Sequence, residues 1–192
     1  TVDLPATLSA SGASVAGTQN DITYDPTKVS IPRHCNKAAN AQTVCSADSD
    51  CPALDTCSTK PACYVNEDIN KGGTAFSFLP TGCSDTACTG VRALVLALDN
   101  TDVIPDGSVL YTCKVNIAAS ATGTITLPIT GVILSTAAGM KVPGVGQDGV
   151  IILPGPGGPS PTPTPTTAPP TSTVAQRTAT ATATRTPIVT PG

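Results

Sequence analysis

Eight cysteines punctuate the 192-residue sequence: Cys35, Cys45, Cys51, Cys57, Cys63, Cys83, Cys88 and Cys113. Four of them, Cys45, Cys51, Cys57 and Cys63, recur with five residues between neighbours. Thiols at this density stay cross-linked only in oxidising surroundings, so the chain is expected to be exported and stapled by disulfides. The even spacing is unlike the paired C-x-x-C ligands of zinc sites, and an oxidising compartment disfavours thiolate metal centres further. Cys83 and Cys88 enclose a loop short enough to pair locally. All eight cysteines together allow on the order of 100 pairings, and the connectivity beyond that loop stays open.

The core must be aliphatic, because only 3% of residues are aromatic and Trp is absent. Val, Ile, Leu and Ala crowd runs such as 91–98 and 125–134, which suits a sandwich. No apolar run approaches the ~20 residues of a membrane-spanning helix. No charged and then apolar leader opens the chain, so Thr1 reads as a mature N-terminus left after signal removal. The net charge of −3 includes Arg177 and Arg185 in a tail without acids, which leaves the rest of the chain at −5. With no basic stripe, nucleic acid is excluded as a partner.

Composition changes near residue 154, dividing the chain into one domain, 1–153, and a Pro/Thr-rich tail, 154–192. Two strands are expected before residue 31, ended by the Asp25-Pro26 turn. Residues 32–63 hold five of the cysteines and no apolar period, and read as a Cys-rich, disulfide-held insertion. Strand signals resume at 75–79 and 91–98 and continue at 108–118, 123–129, 131–136 and 149–153, with turn residues such as Pro105-Asp106-Gly107 between them. Many short strands and no amphipathic helix predict an all-β sandwich.

The stretch Cys45-Ser-Ala-Asp48-Ser-Asp50-Cys51-Pro resembles a small C-x-x-D-x-D-C-P repeat of secreted bacterial proteins. A wider resemblance is carried by residues 15–25 (VAGTQNDITYD), 76–83 (FSFLPTGC), 88–97 (CTGVRALVLA) and 104–113 (IPDGSVLYTC). Together these resemble the cohesin-like domains, of carbohydrate-binding-module type, of bacterial surface proteins. The resemblance implies a jelly-roll-like β-sandwich, an extracellular or cell-surface place, Thr/Pro-rich linkers and binding or structural roles without catalysis. The 35–57 stretch is extra to that pattern, and no dockerin-like calcium repeat is present.

Cohesin-like domains usually begin with a strand and a Pro-Gly turn before the segment that is here 1–8. Two readings stay open. Either that first strand is missing, leaving an unpaired edge and an open core groove for another chain to fill, or residues 1–8 form the first strand of a complete sandwich. Candidate donors are the N-terminal residues or the 173–190 segment, with Thr178, Ala179, Thr180, Ala181, Thr182, Ala183, Thr184, Ile188 and Val189 as the assembly strand. There Thr and Ala alternate at the period of a strand, whereas 161–170 alternates Pro and Thr and suits a stiff polyproline II spacer.

Catalysis finds little to work with. His34 is the only histidine and Glu67 the only glutamate. The acids Asp99, Asp102 and Asp106 punctuate turns, so no acid–base pair or nucleophile set is expected. Calcium is the one cofactor left as a possibility, through Asp48 and Asp50 or Asp99, Asn100 and Asp102, although neither set matches an EF-hand loop. Tyr24, Tyr64, Phe76, Phe78 and Tyr111 are the available sugar platforms, and most are expected in the core. No Asn-x-Ser/Thr sequon occurs. Thr162, Thr164, Thr166, Thr167, Thr171, Thr173, Thr178, Thr180, Thr182, Thr184, Thr186 and Thr190 lie among Pro and Ala, the composition of O-glycosylated stalks. The expectation is an extracellular structural protein that assembles with copies of itself into a filament or surface layer. The alternative is a monomeric surface module for a protein or carbohydrate ligand.

Overall fold

The structure, a computed structural model, describes residues 1–52 and 54–153. All of these lie in one compact unit, Thr1–Gly158. The tail, its candidate glycosylation sites and its candidate assembly strand lie outside the described residues.

The strands in chain order are β1 (Val2–Thr7), β2 (Gly17–Thr23), β3 (Val29–Ser30), β4 (Arg33–Cys35), β5 (Val44–Cys45), β6 (Cys57–Pro61), β7 (Cys63–Val65), β8 (Ala75–Leu79), β9 (Gly90–Val95), β10 (Val109–Ile117), β11 (Thr124–Leu127), β12 (Ile129–Ser135), β13 (Lys141–Val142) and β14 (Gly149–Ile152). In one sheet β10 pairs β1 on one side and β7 and β3 on the other. The second runs β13-β12-β2-β9-β8, all antiparallel. A β11–β14 ribbon and a small β5-β4-β6 sheet complete the unit.

Alternation sets which face is inside. On β9, Val91, Ala93 and Val95 are buried while Arg92 and Leu94 point outward; on β10, Tyr111, Cys113 and Val115 are buried. These inward faces close on one aliphatic core, the packing expected of a sandwich. The strand expected over 91–98 stops at Val95, and Leu98 beyond it is 88% exposed.

The Cys-rich insertion is more regular than its sequence suggests. It holds the β5-β4-β6 sheet, cross-linked by Cys35–Cys51 and Cys45–Cys57. Carboxylates bound to backbone N–H groups do much of the work of a core here. Asp48 accepts from Cys57 N at 2.8 Å, and Asp50 from Ser46 N and Ala47 N at 2.7 and 3.0 Å. Asp55, buried, accepts from Lys37 N, Thr56 N and Asn40 Nδ2. Cys63 belongs to the sandwich instead: it joins β7 to Cys113 on β10, across 50 residues of sequence. Cys83–Cys88 closes its short loop.

Candidate docking surfaces

The residues 1–8 do form a strand of the sandwich, because Val2–Thr7 pairs with β10 from Val2↔Val115 to Thr7↔Val109. Yet β1 has no second neighbour among the described residues. Pro5, which has no N–H to donate, is at home on such an edge strand. Beside β1 the seam between the two sheets is open: a groove of about 490 Å³ runs between Leu4 and Ala6 of β1 and Ile129, Leu134 and Val142 of the facing sheet. No lining residue is charged. The rim opposite β1 is the 143–147 segment, laid so closely on β12 that a Cβ at Gly144 would come within 2.6 Å of Leu134 Cδ1.

Two polar side chains on the inward face of β2 line this groove. Asn20 donates through Nδ2 to Tyr111 Oη at 2.7 Å, joining the sheets, and burial pushes the Tyr111 phenol up to about 12. Thr18, 4% exposed, has a buried hydroxyl without a hydrogen-bond partner. A buried hydroxyl left unpaired costs about 1–3 kcal/mol.

The outer face of the five-stranded sheet is a second surface. Across it Ile133, Gln19, Leu94 and Ala75 stand in one row, with Thr130, Asp21, Arg92 and Ser77 in the next. Ile133 is 46% and Leu94 36% exposed. Between the rows Arg92 Nε and Nη2 each reach an Asp21 carboxylate oxygen at 2.7 Å, a bidentate pair that raises the guanidinium pKa. Gly131 makes room for it: φ is +61°, and a Cβ there would lie 3.2 Å from Asp21 Oδ2.

The remaining candidates disperse. His34 sits on β4 with Nδ1 2.9 Å from the Cys35 carbonyl and its ring edge-on to Tyr64. Of the groups offered to calcium, Asp48 and Asp50 accept from backbone N–H groups, Asp99 Oδ1 accepts from Asn100 Nδ2 at 3.3 Å, and Asn100 Oδ1 and the main-chain carbonyl of Asp102 accept from the buried Lys71 Nζ at 3.3 and 2.6 Å. Asp106 accepts from Ala10 N. Cys35, Cys45 and Cys51 cluster closely enough for a metal, but their sulfurs are spent in disulfides. Of the aromatics, Tyr24, Phe78 and Tyr111 are buried, and Phe76 packs edge-on to Tyr111 at 5.3 Å. Tyr64 flanks a polar hollow of about 480 Å³ whose rim includes the Asp3–Lys114 ion pair at 2.8 Å. Burial first, and then Asp3, pushes the Tyr64 phenol up to about 12.

Two sheets in this order, facing over one core, match solved structures across four-fifths of the chain. CaCohA2 in its crystallised complex with a CaDoc0917 variant superposes with TM-score 0.53 at 14% identity, covering 80% of this chain and 89% of that one. The solution structure of CaCohA2 from Clostridium acetobutylicum gives 0.50 at 15%, covering 79% and 80%. The fold is cohesin-like. The sixth cohesin of scaffoldin B from Acetivibrio cellulolyticus, solved with a Cel5 dockerin variant, gives 0.50 at 19%, covering 80% and 88%. No family model matches the sequence, and no curated protein does. Among the described residues no helix is long and apolar enough to cross a membrane.

The seam was not named residue by residue from sequence. The signal available was in β2, where Thr18 and Asn20 alternate with Gln19 and Asp21, so that either face of the strand had to carry polar groups inward.

Proposed function

We propose that this chain is an extracellular, non-catalytic assembly module, a structural subunit that joins copies of itself through the seam beside β1. The observation that carries the reading is the seam: an edge strand and an uncharged groove occupy one place. An extended segment laid there would pair the edge on either side of Pro5, which offers no N–H, and bury the groove, which is β-strand addition. Such a contact joins unlike surfaces, so it propagates into a filament wherever the rotation between copies does not close into a ring. Disulfides would harden the fibre against unfolding, and a glycosylated tail would shield it from proteolysis. Negative-stain microscopy with size-exclusion chromatography of the full chain tests this. Regular fibres are the expected outcome; a monomer at every concentration overturns the proposal.

A second reading has its own observation. Two of the cohesin-fold neighbours were solved as complexes with another protein, and the outer face with Leu94 and Ile133 could take a different partner chain.

A further inference from the structure

We infer that the segment occupying the seam is 178–184 of the C-terminal tail of a second copy; this rests on the assembly reading above and names its donor. Several features fit this segment. The groove is uncharged, and 178–184 is an uncharged Thr-Ala alternation. As a strand its seven residues span roughly 23 Å at about 3.3 Å each, enough to run along all six residues of β1. Ala179, Ala181 and Ala183 then face one side, the size of side chain a narrow seam admits. Thr178, Thr180, Thr182 and Thr184 face the other, so sugars on those hydroxyls would point away from the groove.

Charge brackets the segment. Arg177 and Arg185 stand immediately before and after it. Acids stand at two places along the rim: Asp106, which holds Ala10 N past the end of β1, and Asp148, which holds Ile129 N and precedes Gly149 beside Leu4. Guanidinium groups excluded from an apolar groove but met by carboxylates at its ends would fix the register, which a plain Thr-Ala repeat cannot do for itself.

Reach selects the second copy. β14 ends at Ile152, and Gly149 of that strand lines the seam, so the described chain ends close to its own groove. In polyproline II, which its Pro-Thr alternation suits, 161–170 would span roughly 30 Å at about 3 Å per residue. A neighbouring groove is then easier to enter than the one just left.

Equal amounts of nitrogen-14 and nitrogen-15 full chain, each carrying a diazirine amino acid at position 181, would be mixed, allowed to assemble and irradiated. A second pair carries the label at position 180, outward-facing and harmless to docking, as the control that shows assembly tolerates the label. The expected result at position 181 is cross-linking to residues 4–6 or 142–146, with about half of the cross-links joining unlike isotopes. Links only within one isotope overturn the second copy as donor. Fibres without links to the seam overturn the tail as donor and leave assembly standing. A full chain that forms neither fibres nor links overturns donor and assembly together.

Discussion

At the residue scale, polar groups in unusual places fix this sandwich, and each makes a prediction. Lys71 is 2% exposed, yet its ammonium ties Asn100 Oδ1 and the Asp102 carbonyl, in the loop after β9, to the segment that precedes β8. Lys71→Met keeps most of the apolar stem and removes the donors, leaving those oxygens unpaired. A loss of about 1–3 kcal/mol is expected in denaturant unfolding; an unchanged midpoint would contradict the role. Asp50 reports on the insertion. The Ser46 N–H first, and then that of Ala47, hold its carboxyl below the ordinary 3.8. A depressed folded value means the contribution is present above the unfolded pKa and is lost as pH falls through the folded one. Carboxyl-carbon NMR should therefore place the Asp50 midpoint below 3.8, with the insertion loosening only in acid under that value. Asp50→Asn should remove the share of that acid transition due to Asp50 and leave the share due to Asp55, whose carboxyl is likewise held low.

At the element scale, cross-linking is unequal, and loop length says by how much. Cys63–Cys113 closes 50 residues and ties β7 to β10, whereas Cys83–Cys88 closes only 5. The chain-entropy estimate gives about 4 kcal/mol for the long loop and about 2 for the short one. Replacing both cysteines of each pair with Ala should shift the unfolding midpoint about twice as far for the first pair; equal shifts would mean that native packing outweighs the unfolded-state constraint. These elements also show what a sequence can disclose. β9 was legible because Val91, Ala93 and Val95 alternate and turn residues follow. The Pro105-Asp106-Gly107 turn was legible too, with Gly107 at φ +79° leading into β10. The insertion's strands were not, because β4, β5 and β6 are positioned by disulfides and carboxylate-to-backbone bonds and carry no apolar period. Whether residues 1–8 formed a strand was undecidable locally, since β1 exists only by pairing with a partner more than a hundred residues away.

At the scale of the whole molecule, two surfaces compete for the role of contact, and they respond differently to substitution. The outer face of the five-stranded sheet is finished: its Asp21–Arg92 pair is bidentate, and Leu94 and Ile133 are exposed in a structure that needs nothing added to them. The seam is unfinished, with an edge unpaired and the Thr18 hydroxyl without a partner. Leu94→Asp with Ile133→Asp should therefore cost only about 1–2 kcal/mol of stability, the strand preference lost at two half-covered positions, and leave fibres intact. A charge placed in the seam should behave in the opposite way. Ala6→Glu sets a carboxylate on the half-buried, groove-lining face of β1, where water still reaches it in the free subunit, so the monomer should melt only slightly lower than before. A docked strand would bury that charge without a partner, so the concentration needed for assembly should rise severalfold. Measuring the melting temperature and the critical concentration of both variants separates the surfaces. If the outer-face pair abolishes fibres while Ala6→Glu leaves the critical concentration alone, contact runs through the sheet face and the seam is only a defect in packing.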